Sequence, residues 1–197
     1  MAEFQSRLMT QRERRRLGQV RKSFEAGLEQ QAKGGSIAIE FFATCVDYIK
    51  AAMDRLHAQD QRIYDFLKPH VPDSDSQGTA ILDNLDMRLS KSRVALDKLV
   101  AARDTYRAKG AAGWADFKAT VAMFMDVYFN TLMKGQHSTL EMQDKIFTEA
   151  TWIAVAGISE DSLQIEATQF AMVKRQAPAG ADPDSFKAGP PPAAPKN

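Results

Sequence analysis

The chain has 197 residues, 44% of them hydrophobic and 26% charged, proportions of a globular protein able to bury one substantial core. Its formal net charge of +1 excludes the global positive field that marks nucleic-acid binders. No apolar run approaches the ~18 residues of a membrane span, and the N-terminal stretch lacks the continuous apolar segment of a secretory signal. Cys45 is the sole cysteine, which excludes an internal disulfide and a cysteine-rich zinc site and suggests a reducing, cytoplasmic setting. Within Phe41-Phe42-Ala43-Thr44-Cys45-Val46 it reads as a small buried hydrophobe and not as a nucleophile.

A first helix is expected from about Gln5 to Ala32. Its start is basic, with Arg7, Arg12, Arg14, Arg15, Arg16, Arg21 and Lys22 against Glu3 and Glu13, a pattern that usually means a solvated face. Gly34-Gly35 stops it and Ser36 can cap the next helix. The second helix runs to about Leu67 with Phe42, Val46, Ile49, Met53, Leu56, Ile63 and Leu67 on one stripe, in steps of four and three with one position missed. Pro69 and Pro72 then break the chain. A third helix, about Thr79 to Lys109, carries Ile81, Leu82, Leu85, Leu89, Leu96, Leu99 and Val100. A long fourth, about Ala115 to Trp152, carries Phe117, Val121, Phe124, Tyr128 and Leu132, then Ile146 and Phe147. After Gly157, Ser159 with Glu160 and Asp161 opens a short fifth helix to about Val173. Six of the eight prolines follow Ala177, among Ala and Gly. The resulting expectation is an all-α chain: an antiparallel four-helix bundle over residues 1–175 with a short C-terminal helix, and a disordered Ala/Gly/Pro-rich tail over 176–197.

Two polar interruptions of the stripes carry the candidate chemistry. Asp60 fills the position missed in the second helix, where a carboxylate must find partners or change protonation state. His57, Gln61 and Tyr64 lie within helical reach of it. They read either as a hydrogen-bonded network fixing helix register or as a ligand or proton-handling site. In the fourth helix, Gly135-Gln136-His137-Ser138-Thr139 interrupts the apolar face. His137 and Glu141, four apart with Asp144 beyond, have the spacing by which bundle metalloproteins project paired ligands. Met123, Met125, Met133 and Met142 along the same helix suit either core packing or an adaptable apolar contact.

Taken together, Val46-Asp47-Tyr48-Ile49 through Met53-Asp54-Arg55-Leu56-His57-Ala58-Gln59-Asp60-Gln61, and His137 to Glu141 followed by Ile146-Phe147-Thr148-Glu149-Ala150-Thr151-Trp152, resemble the second and fourth blocks of the hemerythrin-like (HHE cation-binding) family. The resemblance covers roughly Arg12 to Phe170 and implies His and Glu side chains around two non-haem irons. The departures fall on the ligands. His57 stands at a ligand position, but Gln61 replaces the carboxylate four residues on. Glu13-Arg14-Arg15-Arg16-Leu17 stands where Glu-His is expected, and Ser90-Lys91 near the corresponding point of the third helix. In the fourth helix either His137 and Glu141, or Ser138 and Met142, occupy the ligand register.

The metal candidates are therefore His57, Asp60, His137 and Glu141, with Arg14 and Lys91 as cations that could replace a metal's charge beside them. The functional expectation is a bacterial-type, non-enzymatic hemerythrin-like bundle with an eroded metal site, serving sensing, structure or binding of a protein partner, without cofactor, membrane or nucleic acid. The alternative is a working non-haem iron protein that binds dioxygen or nitric oxide or handles iron.

Overall fold

The structure, a computed structural model, describes residues 2–132, 139–157 and 159–186. Secondary structure among them is helical throughout: α1 (Ala2–Ala32), α2 (Ile39–Leu67), α3 (Ser76–Lys109), α4 (Trp114–Met125), α5 (Leu140–Ile146), α6 (Glu149–Ala156) and α7 (Glu160–Gln176). Short 3₁₀ turns lie at Lys68–His70, Gly110–Gly113 and Pro183–Ser185. No described helix is long and apolar enough to cross a membrane.

The first three helices and α7 stand close to where the stripes and caps place them. Asp75 caps α3 by accepting from the Gly78 amide at 2.9 Å, which starts that helix before Thr79. Ser159 caps α7 through the Ser162 amide at 3.1 Å, with Glu160 and Asp161 in the first turn and Lys174 and Arg175 in the last, each matched to the helix dipole. The long fourth helix does not form as one piece. α4 passes into a π-helical stretch, Asp126–Leu132, and α5 begins only at Leu140. Phe147 is extended, and Thr148 and Thr151 form a reciprocal capping box that starts α6. The apolar positions on either side of that cap obscure the break in the sequence.

The described chain forms two compact units. One comprises Glu3–Ala52 with residues 159–186, the other Met53–Gly157, so α2 contributes its N-terminal half to the first and the rest to the second.

In the first unit the core gathers Leu17, Val20 and Phe24 of α1, Phe41, Phe42, Val46, Tyr48 and Ile49 of α2, and Phe170 and Val173 of α7. Phe42 packs at 5.9 Å from Phe24 and 5.4 Å from Phe41, ring centre to ring centre. Gly27 is required there, because a Cβ would collide with the Phe41 ring. The expected disordered tail is ordered over 177–186. Ala181 is fully buried and accepts a hydrogen bond from the buried Ser23 hydroxyl. Gln30 and Gln19 donate to the carbonyls of Ala179 and Phe186 at 2.9 and 3.3 Å, and Lys174 pairs with Asp184. Composition alone misses this strap because it is held through its backbone carbonyls, which are independent of residue type, and because Pro183 reduces the entropy lost on ordering. Residues 187–197 lie outside the described residues.

In the second unit α3 buries Leu82, Leu85, Leu89, Ser92, Leu96, Leu99, Arg103 and Tyr106. The steps alternate between three and four without a break, the pattern of a heptad seam. Ile63 and Leu67 of α2 and Val155 of α6 join the leucines of its N-terminal half, with Tyr64, Met142, Ile146 and Phe147 around them. Farther along, Tyr106 stacks on Phe117 of α4 at 4.8 Å. Arg62 donates to the carbonyls of Val155 and Ala156 at 2.9 and 3.3 Å, capping the C-terminus of α6. Gly157 continues that cap at φ +53°, where a Cβ would meet the Arg62 guanidinium at 2.6 Å.

A chain ended at Gln176 loses the strap's hydrogen bonds to Ser23, Gln19 and Gln30 and the buried Ala181. Its unfolding free energy in urea is expected to fall by about 1–3 kcal/mol, the net worth of a few hydrogen bonds. Gly157→Ala is expected to cost about 1–3 kcal/mol through positive-φ strain, and thermal unfolding of the pure variant reads it directly.

Candidate functional site

Each unit buries a polar cluster that joins different helices. In the second, His57 is 6% and Ser92 4% exposed, and His57 Nε2 lies 2.7 Å from Ser92 Oγ. Ser92 occupies a seam position of α3 where leucine is the rule, and its small side chain leaves room for the imidazole. The Ser92 hydroxyl has one proton, and Leu89 O lies 3.1 Å away to accept it. His57 Nε2 competes for that proton, and the direction of the His57–Ser92 bond follows the imidazole tautomer.

Burial, and next the positive charge of Arg93, lower the His57 pKa from 6.5 to about 4, while Asp54 and Asp97 pull weakly the other way. The ring is therefore neutral near pH 7. Gln61, in place of a carboxylate, donates to Asp65 at 3.1 Å and accepts from Arg93 at 3.3 Å. It holds α2 to α3 at the surface.

Asp60 is half-buried on α2, and Tyr64 packs against the leucine cluster with the Lys68 ammonium 5.4 Å from its ring. Glu141 and Asp144 are exposed on α5. The residue that α5 buries instead is Gln143, whose amide donates to Thr139 at 3.2 Å. His137 and Met133 lie outside the described residues. Lys91 is exposed on α3, where the seam turns Ser92 inward and Lys91 out. Arg14 is half-buried in α1, within the first unit.

Among the described residues no three His, Cys, Asp or Glu side chains gather as a group able to hold a metal ion. Among the described residues, one buried imidazole with an amide one turn on supplies fewer donors than a di-iron centre needs. Cys45 is fully buried and its thiol pKa is pushed well up by that burial, the state of an inert core residue.

The cluster in the first unit is the one that residue spacing did not reveal. Glu166 of α7, 4% exposed, accepts from Tyr48 Oη of α2 at 2.7 Å and from the Arg16 guanidinium of α1. Arg16 also lies 4.7 Å over the Phe170 ring, and Phe170 meets Tyr48 edge-on at 5.8 Å. Burial and the Glu166 hydrogen bond raise the Tyr48 pKa far above its ordinary value, so the phenol stays protonated and donating. One carboxylate thus ties three helices together. The available signal was Glu166 itself, four residues before Phe170 and seven before Val173 on the buried face of α7.

No family model, curated protein or solved structure matches the chain.

Because the fold prefers neutral His57, the unfolded chain takes up the imidazole proton first, near pH 6.5, and the folded protein only near pH 4. This contribution to stability is complete above about pH 6.5 and lost progressively as pH falls toward 4, and it levels off below. Urea unfolding across that window, with the His57 ring resonances followed by NMR, should show both the slope and a native midpoint near 4. Glu166→Ala strands the Arg16 charge and the Tyr48 hydroxyl, and is expected to cost roughly 3 kcal/mol in chemical denaturation, with Glu166→Gln costing less.

Proposed function

We propose that the chain is a non-catalytic helical module of hemerythrin-like type whose metal site is eroded, acting through sensing, structure or contact with a protein partner. The observation that carries this reading is the His57–Ser92 pair. The one histidine that stands at both a seam position and a family-like ligand position is buried, held neutral and satisfied by a serine hydroxyl, so its donor capacity goes to helix register. Two other buried polar groups support it in the same way, since Glu166 is matched to Arg16 and Tyr48, and Gln143 to Thr139. Side chains matched to one another stabilise one arrangement of helices and leave little for a substrate to bind. Four antiparallel helices around one core remain the arrangement that the resemblance to the hemerythrin-like family implies.

The decisive experiment is elemental analysis of freshly purified protein with an ultraviolet-visible spectrum in air, repeated after anaerobic loading with ferrous ion. The expected result is less than about a tenth of an iron per chain and no oxo-bridged absorption band, for want of the several donors a di-iron site requires. Near-stoichiometric iron that disappears on replacing His57 or His137 by Ala would overturn the proposal and make gas binding or iron handling the function.

A further inference from the structure

α3 carries a second stripe opposite its buried seam. Ala80, Asp83, Asn84, Met87, Ser90, Lys91 and Val94 are all exposed, on four successive turns within the second unit. Met87 and Val94 lie seven residues apart on one line of the helix and are 37% and 53% exposed. A single outward apolar residue needs no explanation. What distinguishes this pair is its flanks. Rotating the helix by a two-fold axis through Met87 sets Met87 against its counterpart, Asp83 opposite Lys91, Asn84 opposite Ser90, and the small Ala80 opposite Val94. An acid meets a base, an amide meets a hydroxyl, and a branched side chain meets the residue with room for it.

We infer that this face of α3 is an isologous docking surface for a second copy of the same chain, with the two helices antiparallel and Met87 on the axis. Self-complementarity is what a two-fold interface demands of a single surface, because every contact is made twice with the roles exchanged. Charge chooses the direction. A parallel pairing in register puts Asp83 against Asp83 and Lys91 against Lys91, two repulsions in place of two attractions. One stripe of a single helix buries less than a standard interface, so the dimer is weak and depends on concentration and salt.

The inference rests on the partner-binding reading above, and the two fail separately, since iron uptake bears on that reading and oligomeric state on this one. The test is sedimentation velocity of the full chain over a wide concentration range at low and high salt. The wild-type chain is expected to show a concentration-dependent dimer that Met87→Glu abolishes. Asp83→Lys and Lys91→Asp should each weaken it by about tenfold, and the double reversal should restore it to within about threefold. All three substitutions lie on the exposed face, and circular dichroism checks that the helices persist. A wild-type monomer at every concentration, a dimer indifferent to Met87→Glu, or a double reversal as weak as its parents overturns the assignment; the first would leave the stripe to a different protein.

Discussion

A helix that repeats a strict three-four stripe must bury every position on it, whatever residue stands there, and this constraint shapes the molecule. In α3 the stripe runs from Leu82 to Tyr106 and takes in a serine and an arginine along with the leucines and aromatics. A polar group carried into such a seam keeps the fold stable only if a partner arrives with it. Ser92 meets His57 across the α2–α3 contact. Glu166, on the corresponding stripe of α7, meets Arg16 and Tyr48. Apolar contacts tolerate slippage along a helix because one leucine resembles the next. A hydrogen bond between two particular side chains does not, so each of these clusters selects one register among several that pack almost equally well.

How much of this was legible in the sequence follows from the range of each interaction. Stripes and caps are local, and they locate α1, α2, α3 and α7 well. The fourth helix was misread because Phe147 and Trp152 continue an apolar pattern across a break that Thr148 and Thr151 create through their hydroxyls. The strap at 177–186 was misread for the opposite reason: its side chains offer little, and its anchors are carbonyl oxygens that every residue possesses. His57 was identified as a core polar residue, but its partner lies 35 positions away on another helix, and the local candidates Asp60 and Tyr64 drew attention instead. The Arg16–Glu166–Tyr48 cluster joins three distant segments, and spacing within any one of them reveals nothing of it.

The same facts bear on what the interior can do. A protonated phenol that donates to a carboxylate and a buried thiol with a raised pKa each sit in the less reactive of their forms, and His57 is held neutral beside Ser92. His57 and Tyr48 are directed at partners on neighbouring helices, Ser92 and Glu166.

The strap has a consequence for the order in which the chain can acquire its structure. Met53–Gly157 is a continuous stretch, and its contacts can close as soon as that stretch exists. The other unit cannot do the same, since Ser23 waits for Ala181, 158 residues downstream, and Arg16 waits for Glu166, 150 residues downstream. During synthesis α1 can meet α2 early, since Phe42 packs on Phe24, but the Phe170 and Val173 part of that core and the partners of Ser23 and Arg16 follow only after the whole second unit. The first unit therefore closes last although α1 precedes every other helix.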